Sequence, residues 1–390
     1  MKLSALYIFL IVATSIIAQN SINIKIEKET GGLVLAHSPK SSKKFVGSPS
    51  ICILPNGNYV ASHDLFSVSD NKKVNPLTKV YLSTDKGKTW KHTVDLASQY
   101  WSTLFVLNQK LYIIGTTKGG GDIAIRKSDD GGLTWTEPTD AQNGLLASDE
   151  PYHCGPVPVV VHNGRIWRAM EDCSGPKPVW GKMFRALMLS APIDKDLLKA
   201  DNWTFSTRLP YDSTYLNGKF GGWLEGNAVV TPTGNIVNIL RVDYREQDGE
   251  KAAIVHINDD GKTATFDPEK DFINFPGGCK KFTIRYDKKS KKYWTLSNYV
   301  PENFKGGNVE RTRNTQALSW SMDLRNWSVS RIVLQHPDVA YHAFQYLDWQ
   351  FDGKDMIALS RTAYDDGMGG ADNQHNANFI TFHRIKNFRK

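Results

Sequence analysis

The chain has 390 residues, with 48 Lys and Arg against 40 Asp and Glu, and a formal net charge of +8. This length allows one large core or two ordinary domains, and the positive charge favours an anionic partner. The Lys and Arg residues are scattered rather than clustered, which argues against a nucleic-acid partner. Four cysteines are too few for a disulfide scaffold of this size, although one or two bridges can form.

The chain begins with MKLSALYIFLIVATSIIAQN, in which Lys2 precedes a short apolar stretch that ends before the small residue Ala18. An apolar run this short, followed by polar sequence, predicts a secretory signal peptide rather than a membrane span. We therefore expect a signal peptide over residues 1–18, cleaved near Ala18, and a single catalytic domain over residues 19–390. The mature protein is expected to be secreted or periplasmic, with no insertion into a membrane.

After this segment, short β-rich runs alternate with turns that contain Gly, Asn, Asp or Pro, and residues 193–201 form the one predicted short helix. Six runs have the form of two strands joined by a turn, namely SICILPNGNYVASHDLF, TLFVLNQKLYIIGTT, VPVVVHNGRIWRAMED, NAVVTPTGNIVNILRVDY, FTIRYDKKSKKYWTLSNY and AFQYLDWQFDGKDMIALSRTAY. A repeat at this spacing is typical of the blades of a β-propeller.

A second repeat, S-x-D-x-G-x-T-W or the Asp box, is present as STDKGKTW and SDDGGLTW, with weaker copies in NDDGKTATF, SMDLRNW and ADNW. Its Asp caps a tight turn and its Gly supplies a positive φ, so the motif is expected on outer hairpins and away from the substrate. Both repeats predict an all-β fold, a β-propeller of six or seven blades. The last segment, NFITFHRI, is expected to pair with INIKIEK or GLVLA near the N-terminus and so close the ring.

In a propeller, the start of each inner strand and the end of the next strand face one central depression, where ligands bind. The polar and aromatic side chains predicted at those points are His37, Ser48, His63, Asp64, Glu150, His153, Arg168, Asp172, Trp223, Glu225, Asn227, Arg241, Tyr244, Asn298, Tyr299, Tyr341, His342 and Arg361. Several have an ordinary alternative: His63 and His153 as hydrogen-bonded strand ends, and the Arg residues as members of ion pairs. A depression rich in Arg, His and Tyr suits a sugar that carries a carboxylate.

Asp boxes in an exported propeller indicate a resemblance to sialidases, whose arginine triad can be drawn here from Arg168, Arg241 and Arg361. The Arg-Ile-Pro signature of sialidases is replaced by GSPSICILPNG. The chain more closely resembles sialidase-like propellers of Bacteroidetes that act on uronic-acid glycans: the ulvan lyases and the α-L-rhamnosidases that act on rhamnose-α-1,4-glucuronate. The matching segments are GSPSICILPNGNYVASHDLF, HCGPVPVVVHNGRIWRAMED, GGWLEGNAVVTPTGNIVNILR and ALSRTAY with HNANFITFHRI.

The resemblance to the lyases implies a base that removes the C5 proton of a uronate, an acid that protonates the leaving O4, and a cation that neutralises the carboxylate. His153 matches the first catalytic His of that group, and Arg241 matches its neutraliser. A second His is expected around residues 171–173 and a Tyr near Glu225, and the chain has neither. Tyr244 or Glu225 is therefore expected to substitute.

These considerations predict β-elimination across C4–C5 of a uronate in an acidic oligosaccharide or polysaccharide, with loss of a sugar (a lyase) or of water (a dehydratase). One alternative is an α-L-rhamnosidase that uses a single histidine, His63 or His37, and another is a non-catalytic propeller that binds acidic glycans. The expected substrate contacts are Arg168, Asp172, Trp223, Asn227, Tyr299, His342 and Arg361. We expect no cofactor, no metal and a monomer.

Overall fold

The computed structural model describes residues 19–67 and 76–390, in which β-strands dominate. A helix over residues 19–30 precedes the first strand, and its Ile26 is fully buried against Phe344 and Phe379. The 3₁₀ turns are Lys40–Ser42, Ala200–Asn202, Tyr215–Gly218 and Glu302–Phe304. The predicted signal peptide and its cleavage site near Ala18 lie outside the described residues. Within the described residues, no helix combines the length and apolar character that crossing a membrane requires.

The strands, numbered in chain order, form five hydrogen-bonded sheets. Strand β1 is Leu33–His37, and the first sheet contains β2 (Lys44–Ile53), β3 (Tyr59–Ser67), β4 (Leu77–Ser83) and β5 (Lys91–Ala97). An eight-stranded sheet contains β6 (Tyr100–Leu107), β7 (Lys110–Thr116), β8 (Gly121–Ser128), β9 (Leu145–His153), β10 (Val159–His162), β11 (Arg165–Asp172), β12 (Arg185–Pro192) and β13 (Thr204–Phe205).

The third sheet contains β14 (Trp223–Val230), β15 (Ile236–Val242), β16 (Lys251–Ile257), β17 (Ala264–Thr265) and β18 (Phe272–Asn274). The fourth contains β19 (Thr283–Asp287), β20 (Lys292–Ser297), β21 (Thr315–Ser321) and β22 (Ser328–Gln335). The fifth joins β1 to β23 (Ala343–Asp352), β24 (Asp355–Ala363) and β25 (Phe379–Ile385).

All six predicted strand pairs are confirmed as antiparallel hairpins: β2–β3, β6–β7, β10–β11, β14–β15, β19–β20 and β23–β24. Turn chemistry explains why they could be read from the sequence. Between β10 and β11, for example, His162 pairs with Arg165, and the two loop residues Asn163 and Gly164 both have positive φ, 48° and 69°. Asn-Gly is the preferred dipeptide for such a two-residue hairpin turn.

Other details differ from the prediction. The strands form five sheets where six or seven blades were expected, because β9 pairs with both β8 and β11 and merges two hairpins into one sheet. Residues 193–201 form turns that end in a 3₁₀ helix, since the Asp196 side chain accepts the amide of Leu198 at 3.0 Å and competes with helical bonding. INIKIEK lies in the N-terminal helix, whereas GLVLA supplies β1, which pairs antiparallel with β25.

Hydrogen bonds join the successive hairpins near their inner strands. Each link runs from an amide or indole N–H of one hairpin to a side chain or carbonyl of its neighbour. The six links are Leu104 N to Ser50 Oγ at 3.0 Å, Val157 N to Thr103 Oγ1 at 3.1 Å, Gly226 N to Glu171 Oε1 at 3.1 Å, Ile284 N to Asn227 Oδ1 at 3.0 Å, Trp349 Nε1 to Thr283 O at 3.0 Å, and Ile51 N to Asp348 Oδ2 at 2.9 Å. The last link connects β2 with β23.

The Asp boxes form the turns that were predicted for them. Asp85 accepts hydrogen bonds from the amide and hydroxyl of Thr89 at 2.9 and 2.6 Å, and Ser83 closes the turn by accepting the amide of Gly87 at 2.8 Å. Gly87 has φ of +85° and packs against Phe382, so a side chain there would clash. This turn joins the outer strands β4 and β5. All four cysteines are free, so the disulfide bridges that the sequence allowed are not formed.

Candidate active site

A small cavity of about 100 Å³ lies where ends of the inner strands converge. Its lining residues are Ser48, Phe66, Trp101, His153, Cys154, Gly155, Pro156, Trp180, Glu225, Tyr346, Arg361 and His375. A larger surface depression of about 290 Å³, which includes Tyr299, holds fewer convergent ionisable groups. The density of imidazole, carboxylate and guanidinium groups in the small cavity makes it the candidate active site.

His153 and Glu171 form a buried pair at this cavity. The imidazole Nδ1 lies 3.1 Å from Glu171 Oε2, and His153 is only 3% exposed. The other carboxylate oxygen, Oε1, accepts the amide of Gly226 at 3.1 Å, which fixes the orientation of Glu171. An ionised carboxylate only accepts hydrogen bonds, so it places the imidazole proton on Nδ1 and leaves Nε2 as a proton acceptor beside the cavity.

Glu225 and Arg241 form a second buried pair. Arg241 Nη1 donates to Glu225 Oε2 at 2.7 Å, while its Nε donates to the carbonyl of Cys279 at 2.9 Å. The Tyr346 hydroxyl hydrogen-bonds Glu225 and lies 3.5 Å from Arg241 Nη1. Burial raises the pKa of Glu225, but the charge of Arg241 outweighs it and the pKa falls below its usual range. Glu225 is therefore ionised, and Arg241 is already compensated by a carboxylate.

Arg361 differs from Arg241 because its guanidinium has no carboxylate partner among the described residues. Its Nη2 donates to the carbonyl of His375, and its Nε makes no hydrogen bond within the part of the chain that is described. Its Cζ lies 5.5 Å from the ring of Phe66 and 5.2 Å from that of Tyr346. Burial lowers the pKa of Arg361 to about 10, so it stays protonated at neutral pH. A buried, uncompensated cation beside a cavity favours an anionic ligand.

Four of the lining residues share one backbone feature. Ser48, Trp101, Glu225 and Tyr346 have φ of 49°, 53°, 54° and 54° and lie at register shifts in β2, β6, β14 and β23. A bulge of this kind re-aims a side chain, and left-handed backbone at a residue other than glycine is costly. The same device, repeated on four inner strands, directs these side chains into the cavity.

Asp64 hydrogen-bonds residues at two of these bulges, Trp101 and Ser48. Its carboxylate accepts the amide of Trp101 at 2.7 Å and the hydroxyl of Thr78 at 2.6 Å, and it also hydrogen-bonds Ser48. Burial raises the pKa of Asp64 to about 7 in spite of these bonds. The indole of Trp101 in turn packs against His153, with ring centroids 4.6 Å apart.

Of the predicted site residues, the structure brings His153, Glu225, Arg241 and Arg361 together, and Ser48 also lines the cavity. Arg168 is fully buried beneath them, where its Nη2 donates to the carbonyl of Gly155 at 2.8 Å, so it holds the floor of the cavity and does not line it. Burial lowers the pKa of Arg168.

His63 and Tyr244, both predicted as catalytic, lie away from the cavity. His63 Nε2 contacts the hydroxyl of Tyr81 at 3.2 Å with the two rings stacked, and burial lowers the pKa of His63 to about 4. The strand alternation turns the adjacent Asp64, and not His63, toward the bulges. Tyr244 donates to Asp248 at 2.9 Å on a loop after β15, and burial with this bond raises its pKa to about 12.

Three predicted substrate contacts have structural roles instead. Asp172 is fully buried and is paired with Arg185 at 2.7 Å and Arg208 at 2.9 Å. Trp223 packs in an aromatic core cluster, and Asn227 forms one of the links between hairpins. Asp172 thus pairs within its own sheet, whereas Trp223 and Asn227 pack between hairpins, and none of the three lines the cavity.

The last two predicted contacts, Tyr299 and His342, lie in other surroundings: Tyr299 in the larger depression and His342 in a cluster with His336 and Asp338. The potential ligand atoms of that cluster lie within 4.8 Å of one another. The two imidazole rings, however, stack at 3.6 Å with an interplanar angle of 15°, so their in-plane lone pairs cannot both point at one ion. Asp338 already pairs with His342 Nδ1 at 2.7 Å, and the cluster does not fit a metal as it stands.

Glu171, Tyr346, Trp180 and His375 were not predicted as site residues. Glu171 occupies the place where a second histidine was expected, and its position directly opposite His153 on the neighbouring strand could be predicted only with the β9–β11 pairing known. Tyr346 lies within a strand whose alternation is broken by the bulge, so no sequence signal pointed to it. Burial and the charge of Arg361 hold the pKa of His375 well below its usual value, which keeps its imidazole neutral.

No family model matches the chain, and no curated protein matches it. Among solved structures it is similar to a protein of unknown function from Dyadobacter fermentans, with 14% identity and a TM-score of 0.60 over 92% of this chain and 98% of that one. It is similar to the Hadza microbial sialidase Hz136, with 14% identity and a TM-score of 0.59 over 91% and 68% of the two chains. The α-L-arabinanase of Penicillium chrysogenum gives 16% identity and a TM-score of 0.53 over 92% and 99%. At these identities the likeness shows the fold, an all-β propeller.

Proposed function

We propose that the protein is a carbohydrate-active enzyme that performs β-elimination on a uronate in an acidic oligosaccharide or polysaccharide. The carrying observation is the His153–Glu171 pair, which leaves an imidazole nitrogen free beside a cavity that also contains the uncompensated guanidinium of Arg361. Base and cation are two of the three groups that this reaction needs, because the C5 proton becomes acidic only when the carboxylate charge is neutralised. The resemblance to ulvan lyases and the glycosidase propellers among the similar structures support a saccharide substrate.

The reaction then proceeds as follows. Arg361 binds the uronate carboxylate, and His153 Nε2 accepts the C5 proton. The electron pair of that C–H bond forms the C4–C5 double bond as the bond from C4 to its oxygen breaks. The leaving oxygen takes a proton from the hydroxyl of Tyr346, which Glu225 and Arg241 hold in place. A sugar leaving group makes the enzyme a lyase, and water makes it a dehydratase.

This assignment revises the roles expected from the sequence. Arg241 was expected to neutralise the substrate carboxylate, but Glu225 already compensates it, so Arg361 takes that role. Tyr346 takes the place proposed for Tyr244, and Glu171 orients His153 where a second catalytic histidine was expected.

A hydrolase is the second candidate, and the Glu225–Tyr346 hydrogen bond is the observation that favours it. A tyrosine hydroxyl activated by a carboxylate is a nucleophile for retaining glycoside hydrolysis of the sialidase type. In that mechanism Arg361 binds the substrate carboxylate, and Glu225 accepts the proton of the Tyr346 hydroxyl as its oxygen attacks the anomeric carbon. The bond from that carbon to the leaving oxygen breaks, the leaving oxygen takes a proton from water, and a second water then releases the sugar from Tyr346. An α-L-rhamnosidase that uses His63 is not favoured, because His63 is buried away from the cavity.

The two candidates differ in their products. We expect the protein to convert ulvan oligosaccharides into 4,5-unsaturated uronates, measured by the ultraviolet absorbance of the conjugated double bond, with one new double bond for each sugar or water molecule that leaves C4. Tyr346→Phe is expected to slow this reaction, whereas Tyr244→Phe, which removes the same hydroxyl group away from the cavity, is the matched control. A saturated sugar released without the new absorbance would establish hydrolysis and overturn elimination.

The remaining proposals concern the whole protein. We propose six blades, the eight-stranded sheet counting as two, in a ring closed through the β1–β25 pairing and the Ile51–Asp348 link. We also propose that the chain is exported to the periplasm or beyond the cell and acts as a monomer on an acidic glycan.

A further inference from the structure

Trp180 is a large aromatic side chain at the cavity for which the proposed reaction has no use. It is 51% exposed although it lines the cavity, and its indole stands perpendicular to the ring of His153 at 5.4 Å and to that of Phe184 at 4.9 Å. An indole left half open beside a base is apolar surface available to a ligand. A pyranose ring offers a matching face of C–H groups.

The backbone around Trp180 holds this indole in a fixed place. Gly181, the next residue, has φ of +82° and packs directly against the backbone of Gly221 and Gly222. Gly222 has φ of +125°, and a side chain on it would overlap Gly181. Because β14 begins immediately after this contact and carries Glu225, the indole is positioned relative to both catalytic pairs before any ligand binds.

Two lysines flank the indole on the same loop. Lys177 is exposed, and the Lys182 Nζ lies 5.1 Å from the centroid of the Tyr211 ring. Lys182 is thus held by the Tyr211 ring, whereas Lys177 makes no ion pair among the described residues, so its charge is available to an anionic ligand bound beside this loop.

We propose that Trp180 forms the stacking platform of a second subsite, which binds the sugar next to the reacting uronate in an acidic oligosaccharide, with the exposed Lys177 on the same loop as a partner for the anionic group of that sugar. The proposal rests on the proposed function, because that function assigns the neighbouring cavity to the reacting uronate. It implies that affinity rises with the length of the oligosaccharide and that Trp180 carries most of this gain.

The test compares ulvan-derived oligosaccharides of two and four sugars. Trp180→Ala is expected to raise KM for the longer one by about tenfold, with much less effect on the shorter one and little on kcat. Trp180→Phe, which keeps an aromatic ring, should have a KM for the longer oligosaccharide between those of the unmodified protein and Trp180→Ala. The control is Val179→Ala, because Val179 is a 56% exposed apolar residue on the same loop that does not line the cavity.

Titration calorimetry of the same oligosaccharides, in a His153→Ala background, separates the subsite from the chemistry. If the protein binds them without eliminating, a selective loss of long-chain affinity in Trp180→Ala still supports the subsite, and only the proposed function fails. An unchanged affinity in Trp180→Ala would overturn the subsite. An equal loss for both lengths would also overturn it, since Trp180 would then contribute only to the wall of the reacting subsite. Absence of binding by the unmodified protein would overturn both proposals.

Discussion

Asp64 is a buried carboxylate whose titration affects stability. Burial raises its pKa to about 7, whereas an Asp in the unfolded chain titrates near ~4. Between these two values the folded state binds more protons than the unfolded state, so the free energy of unfolding falls as pH rises through that window. The total fall across this window is on the order of a few kcal/mol. Asp64→Asn should remove it, as measured by urea unfolding from pH 4 to 7.

Asp95→Asn is the matched control for Asp64. Hydrogen bonds and charge from Lys79 and His92 outweigh burial and lower the pKa of Asp95, so its contribution to stability has the opposite sign and is lost only at lower pH. A slope that persists in Asp64→Asn, or disappears in Asp95→Asn, would show that the pKa of Asp64 is not the cause.

The roles of individual side chains in the site were the hardest feature to predict from the sequence. His153, Glu225, Arg241 and Arg361 could be found because hairpin ends converge in any propeller. The roles of the other residues depend on where bulges occur, and a bulge moves a side chain to the opposite face without changing the composition of its strand. Tyr346 is the clearest example, since its neighbours give no sign of the register shift in β23.

Among the structural elements, the Asp boxes are expected to affect stability and not catalysis. Asp130 accepts the amides of Leu133 and Thr134 at 3.0 and 2.9 Å, together with the hydroxyls of Ser128 and Thr134. Asp130→Ala should lower the free energy of unfolding by about 1–2 kcal/mol, because several backbone donors of the turn lose their acceptor. The measurement is urea unfolding, with kcat measured on the same sample.

Asp129 provides a matched control one residue earlier. It is exposed and pairs with Lys110 and Lys127, and surface pairs of this kind contribute little. Asp129→Ala should therefore leave stability almost unchanged. A large loss of kcat in Asp130→Ala at a temperature where the protein stays folded would contradict the structural role of the motif.

Hairpins were the most predictable elements, because their turns carry local chemistry such as the Asn163-Gly164 pair. Interactions between hairpins could not be predicted. The sequence gives no sign that β9 bridges two hairpins, and INIKIEK, with its β-branched residues, lies in a helix because Ile26 packs into an apolar cluster there. Tertiary burial overrides local propensity in both cases.

At the scale of the whole molecule, Asp348 connects three hairpins. Its Oδ2 accepts the hydroxyl of Ser50 and the amide of Ile51, both at 2.9 Å, and its Oδ1 accepts Arg285 Nη2 at 3.1 Å. Asp348→Ala would leave the hydroxyl of Ser50 and the amide of Ile51 without an acceptor and would remove the carboxylate that compensates Arg285, so we expect a loss of about 3–5 kcal/mol in the free energy of unfolding.

Two further variants serve as comparisons for Asp348→Ala. Asp348→Asn keeps an acceptor of the same shape and should lose less, and Asp352→Ala removes a partly exposed pair with Arg384 at the outer end of β23 and should also lose less. Equal stability of Asp348→Ala and the unmodified protein would contradict a stabilising role for these contacts of Asp348.

The central claim, that His153 removes the C5 proton, is tested most directly by the rate at which uronate oligosaccharides gain the ultraviolet absorbance of the C4–C5 double bond. His162 lies at the turn of the β10–β11 hairpin, whose strand β11 carries Glu171, and outside the cavity, so His162→Ala is the matched control. We predict that His153→Ala lowers kcat by at least about 100-fold, the scale of a lost general base, while His162→Ala keeps it. Full elimination activity in a folded His153→Ala protein would contradict the claim.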